Sequence, residues 1–206
     1  GCVDAYNFVV KTRKSVCKND IGERSMRPEE TPATNIDLLA IEDENLDTIN
    51  TWFEAPHVLP WWGEPSDNRK EVAWNRQSRY GDCRLIAGDG RPIGYIQWTD
   101  LWRWSPNKSY GLPQGTIDID VLIGERDALG LGYGPEAMRQ VIALVCMDAP
   151  PPLFSLLTMA ENAPAIRAFE KLGFTKQQLI EKLGKPDNWL MTRAPIPEPI
   201  RTNRMA

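Results

Sequence analysis

The stretch "GTIDIDVLIGERDALGLGYGPEAMRQVIALV" constrains this chain more than any other. Ile117, Ile119, Val121 and Ile123 alternate with Asp118, Asp120 and Leu122, the period-2 pattern of a strand whose two aspartates project from one face. Pro135 suits the first turn of a helix, where a missing N–H costs nothing, and Met138, Val141, Ile142 and Val145 then recur at i, i+3, i+4 and i+7. Between strand and helix lie a polar turn and three glycines, Gly130, Gly132 and Gly134, at every second position.

The flanking segments extend the pattern. Residues 35–41 predict a short strand, and Leu46, Ile49 and Phe53 share one face of a helix. Two apolar runs around Gly88-Asp89-Gly90 predict a hairpin, with Gly94 at a bulge. "LFSLLTM" and "NWLMTR" read as strands. Asn162 is the expected N-cap of a helix through Lys171, with Ile166, Phe169 and Leu172 inward and Gly173 ending it. The order predicts a mixed α/β layer structure with one central sheet. Residues 34–206 are expected to form one domain. Residues 1–33 read as an extension closed by the polar linker "RPEETPATN"; Val3, Tyr6 and Val10 leave open both a docked amphipathic arm and a mobile tail.

Composition removes several function classes. No apolar run approaches the roughly 18 residues of a membrane span, and the N-terminus lacks the order of a secretory signal, so a soluble protein is expected. Cys2, Cys17, Cys83 and Cys146 are too far apart for a zinc knuckle or a small disulfide framework, which favours reduced thiols in the cytoplasm. His57 is the sole histidine, so no multi-histidine metal site is expected, and no GxSxG is present. A net charge of -4 argues against a nucleic-acid partner and for a cationic one. A monomer and a homodimer are both open.

A helix N-terminus presents unpaired N–H groups, and glycines let an anion approach them; the same glycines also make a tight connection, and the residues alone leave both readings open. The spacing does not fit the Rossmann fingerprint, and no GK[ST] ending makes a P-loop. Strand, glycine loop, helix, strand and then "ENAPAIRAFEKLGF" together resemble the GNAT family of acetyl-CoA-dependent N-acetyltransferases over residues 35–194. The family loop Q/R-x-x-G-x-G/A falls on Leu129, Gly130, Leu131, Gly132, Tyr133 and Gly134, with Leu129 replacing the usual Gln or Arg. Its second element falls on Asn162 and on residues 165–174. The resemblance implies a largely antiparallel GNAT-like sheet flanked by helices, and acetyl-CoA as co-substrate without a metal. It places the cofactor along Val121, Leu122 and Ile123, on the loop through Pro135, and against Asn162 and Phe169.

"HVLPWWGE", "RPIGYIQ", "IDVL" and "KPDN" occur in this order in aminoglycoside 6'-N-acetyltransferases, which this chain also resembles. That likeness implies antibiotic modification, with Trp62, Gln97, Asp120 and Asp187 against a polycationic aminoglycoside and Asp120 nearest the reacting amine. Acyl transfer to an amine needs a proton acceptor, stabilisation of the carbonyl oxygen and a proton for the thiolate. Asp120 is the expected anchor or base, with Asp118 strengthening its field; as residues alone, two such aspartates also fit a solvated face or an ion pair. Oxyanion donors are expected near Val121 and Leu122. Many family members place a tyrosine for the thiolate where this chain has Phe169; Tyr133 is the alternative donor, or merely packs. Among the tryptophans, Trp61 and Trp98 are expected in the core or an interface, and Asp100, Glu64 and Asp187 are expected to meet ammonium groups beside exposed rings. His57 is expected to be structural, with a role as a base near the cleft left open. An acyltransferase for another amine, such as a siderophore precursor, and a non-catalytic acyl-CoA-binding protein remain open.

Overall fold

The computed structural model describes residues 36–104, 109–147, 149–181 and 186–195. The extension expected over residues 1–33 lies outside the described residues. The strands are β1 (Ile36–Leu39), β2 (Gly81–Gly88), β3 (Arg91–Asp100), β4 (Ile117–Ile123), β5 (Phe154–Met159), β6 (Thr175–Ile180) and β7 (Asn188–Arg193). They form one sheet in the order β1-β2-β3-β4-β5-β7-β6. Every neighbouring pair is antiparallel except β4 and β5. The helices are α1 (Leu46–Glu54), α2 (Leu59–Trp62), α3 (Pro65–Gln77), α4 (Leu101–Trp104), α5 (Tyr133–Cys146) and α6 (Ala163–Lys171). The expected mixed α/β sheet flanked by helices is thus what the chain forms.

Strand alternation divides the core in two. Ile86, Ile96 and Ile119 pack with Met138, Val141 and Ile142 of α5 and Ile166 of α6. On the other face of the same strands, Leu85, Tyr95 and Leu122 pack with Ile49, Trp52 and Phe53 of α1 and Val72 of α3. Full burial of side chains of this size contributes about 1.5–3 kcal/mol each, so both helical layers are held firmly to the sheet. Among the described residues no helix is long and apolar enough to cross a membrane.

The hairpin closes as expected, with both central residues left-handed: Asp89 has φ 51° and Gly90 φ 76°. The register passes from Ile86 opposite Gly94 to Ala87 opposite Pro92, so Ile93 is the extra residue of a bulge and Gly94 sits beside it. A Cβ on Gly94 would lie 2.4 Å from the Leu122 carbonyl oxygen, so this close approach of β3 to β4 requires glycine.

Four elements carry no clear signal in the sequence. The buried residues of α3 are Asn68, Val72 and Asn75, so its inner face lacks the apolar stripe that marks a helix. Both α2 and α4 are single turns. β6 pairs only with β7, and Thr175, Lys176 and Gln177 at its start are exposed, so no alternation arises there.

Candidate active site

β4 and β5 pair only at Ile117–Phe154 and Asp118–Ser155. Beyond that point β5 continues with β7 to Met159–Asn188, and β4 continues with β3 to Ile123–Gly94. The strands part, and the β5-facing edge of β4 is left without a strand partner. The Ile117 N–H bonds the Leu153 carbonyl across this edge at 3.0 Å. Alternation along β4 therefore turns the N–H groups of Val121 and Ile123 into the opening and that of Leu122 toward β3. A cleft of about 190 Å³ occupies the gap, walled by Trp61, Trp62, Asn68 and Glu71 on one side and by Val121, Asn162 and Phe169 on the other, with Asp120 between them.

A hydrogen-bonded chain orients Asp120. Gln97 Oε1 accepts from Tyr95 Oη at 2.7 Å and from Asn75 Nδ2 at 3.0 Å, and Asn75 Oδ1 accepts from Thr99 Oγ1 at 2.8 Å. With its oxygen taken by two donors, the Gln97 amide must turn its NH2 outward, and Nε2 donates to Asp120 Oδ2 at 3.1 Å. Burial raises the Asp120 pKa, and the Gln97 bond partly offsets the rise. Asp118, two residues earlier on the same face, accepts from Ser155 Oγ. Burial first, and the Asp120 charge second, push Asp118 up to about 7. Burial and the closeness of the two carboxyls thus both oppose their ionising together.

The glycine loop leads directly into α5. Gly130 has φ 75° and Gly132 φ 85°, and an added Cβ at either would meet nothing within 4 Å. Gly132 caps α5, and the side chains of Leu129 and Leu131 are exposed. The Tyr133 and Gly134 N–H groups stand in the first turn, where amides have no intrahelical acceptor, and Pro135 lacks an N–H there. Open space, bare backbone and unpaired amides at a helix N-terminus fit a diphosphate. The Tyr133 ring lies against Gly88, and its hydroxyl donates to Asp89 Oδ2 at 3.5 Å, so this side chain serves the hairpin and not the cleft.

Several other expected residues stand elsewhere. Leu122 is buried in the core on the α1 side. Ile123 packs against the α5 core. Asn162 lines the cleft and caps α6, its Oδ1 accepting from Ala165 N–H at 3.3 Å. Asp100 accepts from the N–H groups of Trp102 and Arg103 at 3.0 and 3.2 Å and does not line the cleft. Glu64 and Asp187 are exposed outside it, although the next residue, Asn188, is a wall residue. Trp98 is buried as expected, whereas Trp61 stands at the cleft, 39% exposed, where core or interface was expected. His57 Nε2 is buried without a partner. Sequence reasoning missed Asn68, Glu71, Asn75 and Ser155. The first three recur at i, i+3 and i+7, a helical spacing of polar residues that is a usable signal; Ser155 is recognisable only from its register opposite Asp118.

The chain is 25% identical over 158 residues to the aminoglycoside N(6')-acetyltransferase type 1 of Klebsiella pneumoniae, covering 69% of this chain and 75% of that protein. Its fold is shared with an uncharacterized protein from Bacillus halodurans, at TM-score 0.67 and 18% identity over 77% of this chain and 83% of that one. It is also shared with the aminoglycoside acetyltransferase AAC(6')-Ib in complex with coenzyme A and kanamycin, at TM-score 0.64 and 21% identity over 78% and 95% of the two chains. The acetyltransferase (GNAT) domain model matches residues 42–182, well over half of the sequence, and the chain belongs to the GNAT family.

Proposed function

We propose that this chain transfers an acetyl group from acetyl-CoA directly to a primary amine of an aminoglycoside, its 6'-amine, with both substrates bound together. The observation that carries the reading is the parting of β4 and β5 immediately after Asp118, which opens a cleft with Asp120 beneath Trp61 and Trp62. The likeness to an aminoglycoside N(6')-acetyltransferase supports the choice of substrate.

In this reading the loop from Leu129 to Pro135 holds the diphosphate on its open amides. The unpaired edge of β4 at Val121 and Ile123 holds the pantetheine, and Asn162 and Phe169 border the cofactor from α6. The acceptor set narrows to Trp62 and Asp120, with Gln97 and Asp118 behind them; Asp100 and Asp187 are left with a more distant electrostatic role. Asp120 attracts the ammonium form of the amine and accepts its proton. A carboxylate whose pKa is raised by burial lies closer to that of the amine, which makes the transfer less uphill. The Val121 N–H, turned into the opening, donates to the carbonyl oxygen as it gains charge. Burial pushes the Cys83 thiol up to about 11, so this cysteine is not an activated nucleophile.

The test is a thiol-release assay with acetyl-CoA and kanamycin, paired with Asp120→Asn. The variant is expected to lose roughly 10²- to 10⁴-fold in kcat/KM for the amine while acetyl-CoA binding, followed by calorimetry, is retained. Unchanged turnover would remove Asp120 from the mechanism. CoA release with hydroxylysine and none with kanamycin would replace the aminoglycoside by a siderophore precursor. Tight acetyl-CoA binding with no turnover across a broad amine panel would leave only an acyl-CoA-binding role.

A further inference from the structure

The inner face of α3 carries two asparagines one above the other, and they differ in a way that points outward to a ligand. Asn75 has a partner for each of its amide atoms: its Nδ2 donates to Gln97 and its Oδ1 accepts from Thr99. Its function is internal, holding the orientation of the amide that faces Asp120. Asn68, two turns earlier, is 7% exposed and lines the cleft with Glu71 and Trp62. Its backbone N–H bonds the Glu64 carbonyl at 3.2 Å, yet its side-chain Nδ2 is buried and has no acceptor. Leaving a buried amide donor unpaired costs free energy, and such groups in folded proteins find a partner in protein, water or ligand. Leucine would fill the same volume at no such cost, so an asparagine here fits a site completed by something that enters the cleft.

We propose that Asn68 is a specificity-determining residue for the acceptor. Its amide, turning toward the cleft as the substrate enters, donates a hydrogen bond to a hydroxyl oxygen that the substrate carries close to the reacting amine. Asp120 reads the nitrogen and Asn68 reads the neighbouring oxygen, so the cleft selects amino sugars over amines whose nearby carbons bear only hydrogen. Trp61 and Trp62 line the same cleft and supply its apolar surface. A site built to donate to a substrate hydroxyl rejects an analogue lacking it, because the donor is then buried without a partner. This assignment rests on the proposed aminoglycoside acetylation.

The experiment compares kanamycin B with dibekacin, its 3',4'-dideoxy analogue, on the wild type and on Asn68→Leu. Kinetics give KM and kcat, and calorimetry gives Kd. For the wild type, dibekacin is expected to bind about tenfold more weakly than kanamycin B. In Asn68→Leu the preference should vanish: KM and Kd for kanamycin B rise about tenfold, while kcat, the KM for acetyl-CoA and the affinity for dibekacin hold within about twofold. Equal losses for both antibiotics, or no loss for either, would overturn the role of Asn68 while leaving aminoglycoside acetylation standing. Absence of CoA release by the wild type with either antibiotic would overturn both. A melting temperature of Asn68→Leu at or above that of the wild type, as removal of an unpaired buried amide implies, would show that a changed preference does not come from misfolding.

Discussion

From Ile123 through Gly134 the chain offers main chain, with an unpaired strand edge, two left-handed glycines and the first-turn amides of α5. From Trp61 through Glu71 the cleft is bordered by side chains, two indoles, an amide and a carboxylate on α2 and α3. The difference separates two tasks. Backbone donors are the same whatever the residue, so a wall built from them suits a ligand that never changes. Side chains can be exchanged one at a time without moving the sheet, so a wall built from them suits a ligand that differs from one relative to another. Under the proposed function the first wall binds acetyl-CoA and the second selects the amine.

If the walls are independent, damage to the glycine loop should be felt by only one ligand. Gly130→Ala with Gly132→Ala places non-glycine residues at φ 75° and 85°, each costing about 1–2 kcal/mol in the left-handed region, and puts two methyl groups into the space assigned to the diphosphate. The acetyl-CoA Kd should rise roughly 10- to 100-fold by calorimetry. Kanamycin affinity should hold within about twofold. A parallel loss of both ligands would mean that one rigid unit serves both, and the comparison would fail.

A smaller effect tests the acidic floor, where the two walls meet. Asp118 is raised to about 7 in the folded protein against an ordinary carboxyl pKa of about 3.9, so the native state binds its proton more tightly than the unfolded chain does. Stability from this group is fully present below about pH 4 and is lost as pH rises toward 7. Asp118→Asn removes that loss and keeps an acceptor for Ser155. The variant should therefore melt with the wild type at pH 4 and about 3–8 °C above it at pH 8. In the wild type, KM for the amine should fall about three- to tenfold as pH rises through 7, when the second carboxylate appears, and the Asp118→Asn substitution should flatten that step. A stability gap that is constant from pH 4 to 8 would show that titration of Asp118 is not its cause.

The same division explains what the sequence made visible. Gly130, Gly132 and Pro135 announce the main-chain wall because a backbone task leaves only residue types that free or fix the backbone. Alternation along β4 likewise announces Asp118 and Asp120 on one face. The parting of β4 from β5 leaves no trace in β4 itself, since Val121 and Ile123 look the same with or without a neighbouring strand. The side-chain wall was harder to see because α3 turns asparagines inward, which erases the period that reveals a helix. Asp100 was a reasonable candidate as a carboxylate beside a tryptophan, but it is spent on capping α4, a local bond that long-range pattern does not distinguish from a binding role.

Under the proposed function Phe169 is the residue beside the cofactor whose side chain should matter, and the smallest expected effect follows from it. Its ring lines the cleft and meets Phe174 edge-on, with centroids 6.4 Å apart. It cannot protonate a departing thiolate. A thiol pKa of about 8.5 makes that leaving group tolerable without an acid, so proton donation is an improvement and not a requirement. Phe169→Tyr adds a donor of pKa about 10 and alters little else in shape. It should raise kcat by up to about tenfold, leave the acetyl-CoA KM within about twofold, and show its gain most clearly below pH 9, where the phenol keeps its proton. An unchanged kcat would mean that thiolate departure does not limit the rate. The main-chain wall would then act by holding its ligand alone, and the difference between the two walls would be one of binding throughout.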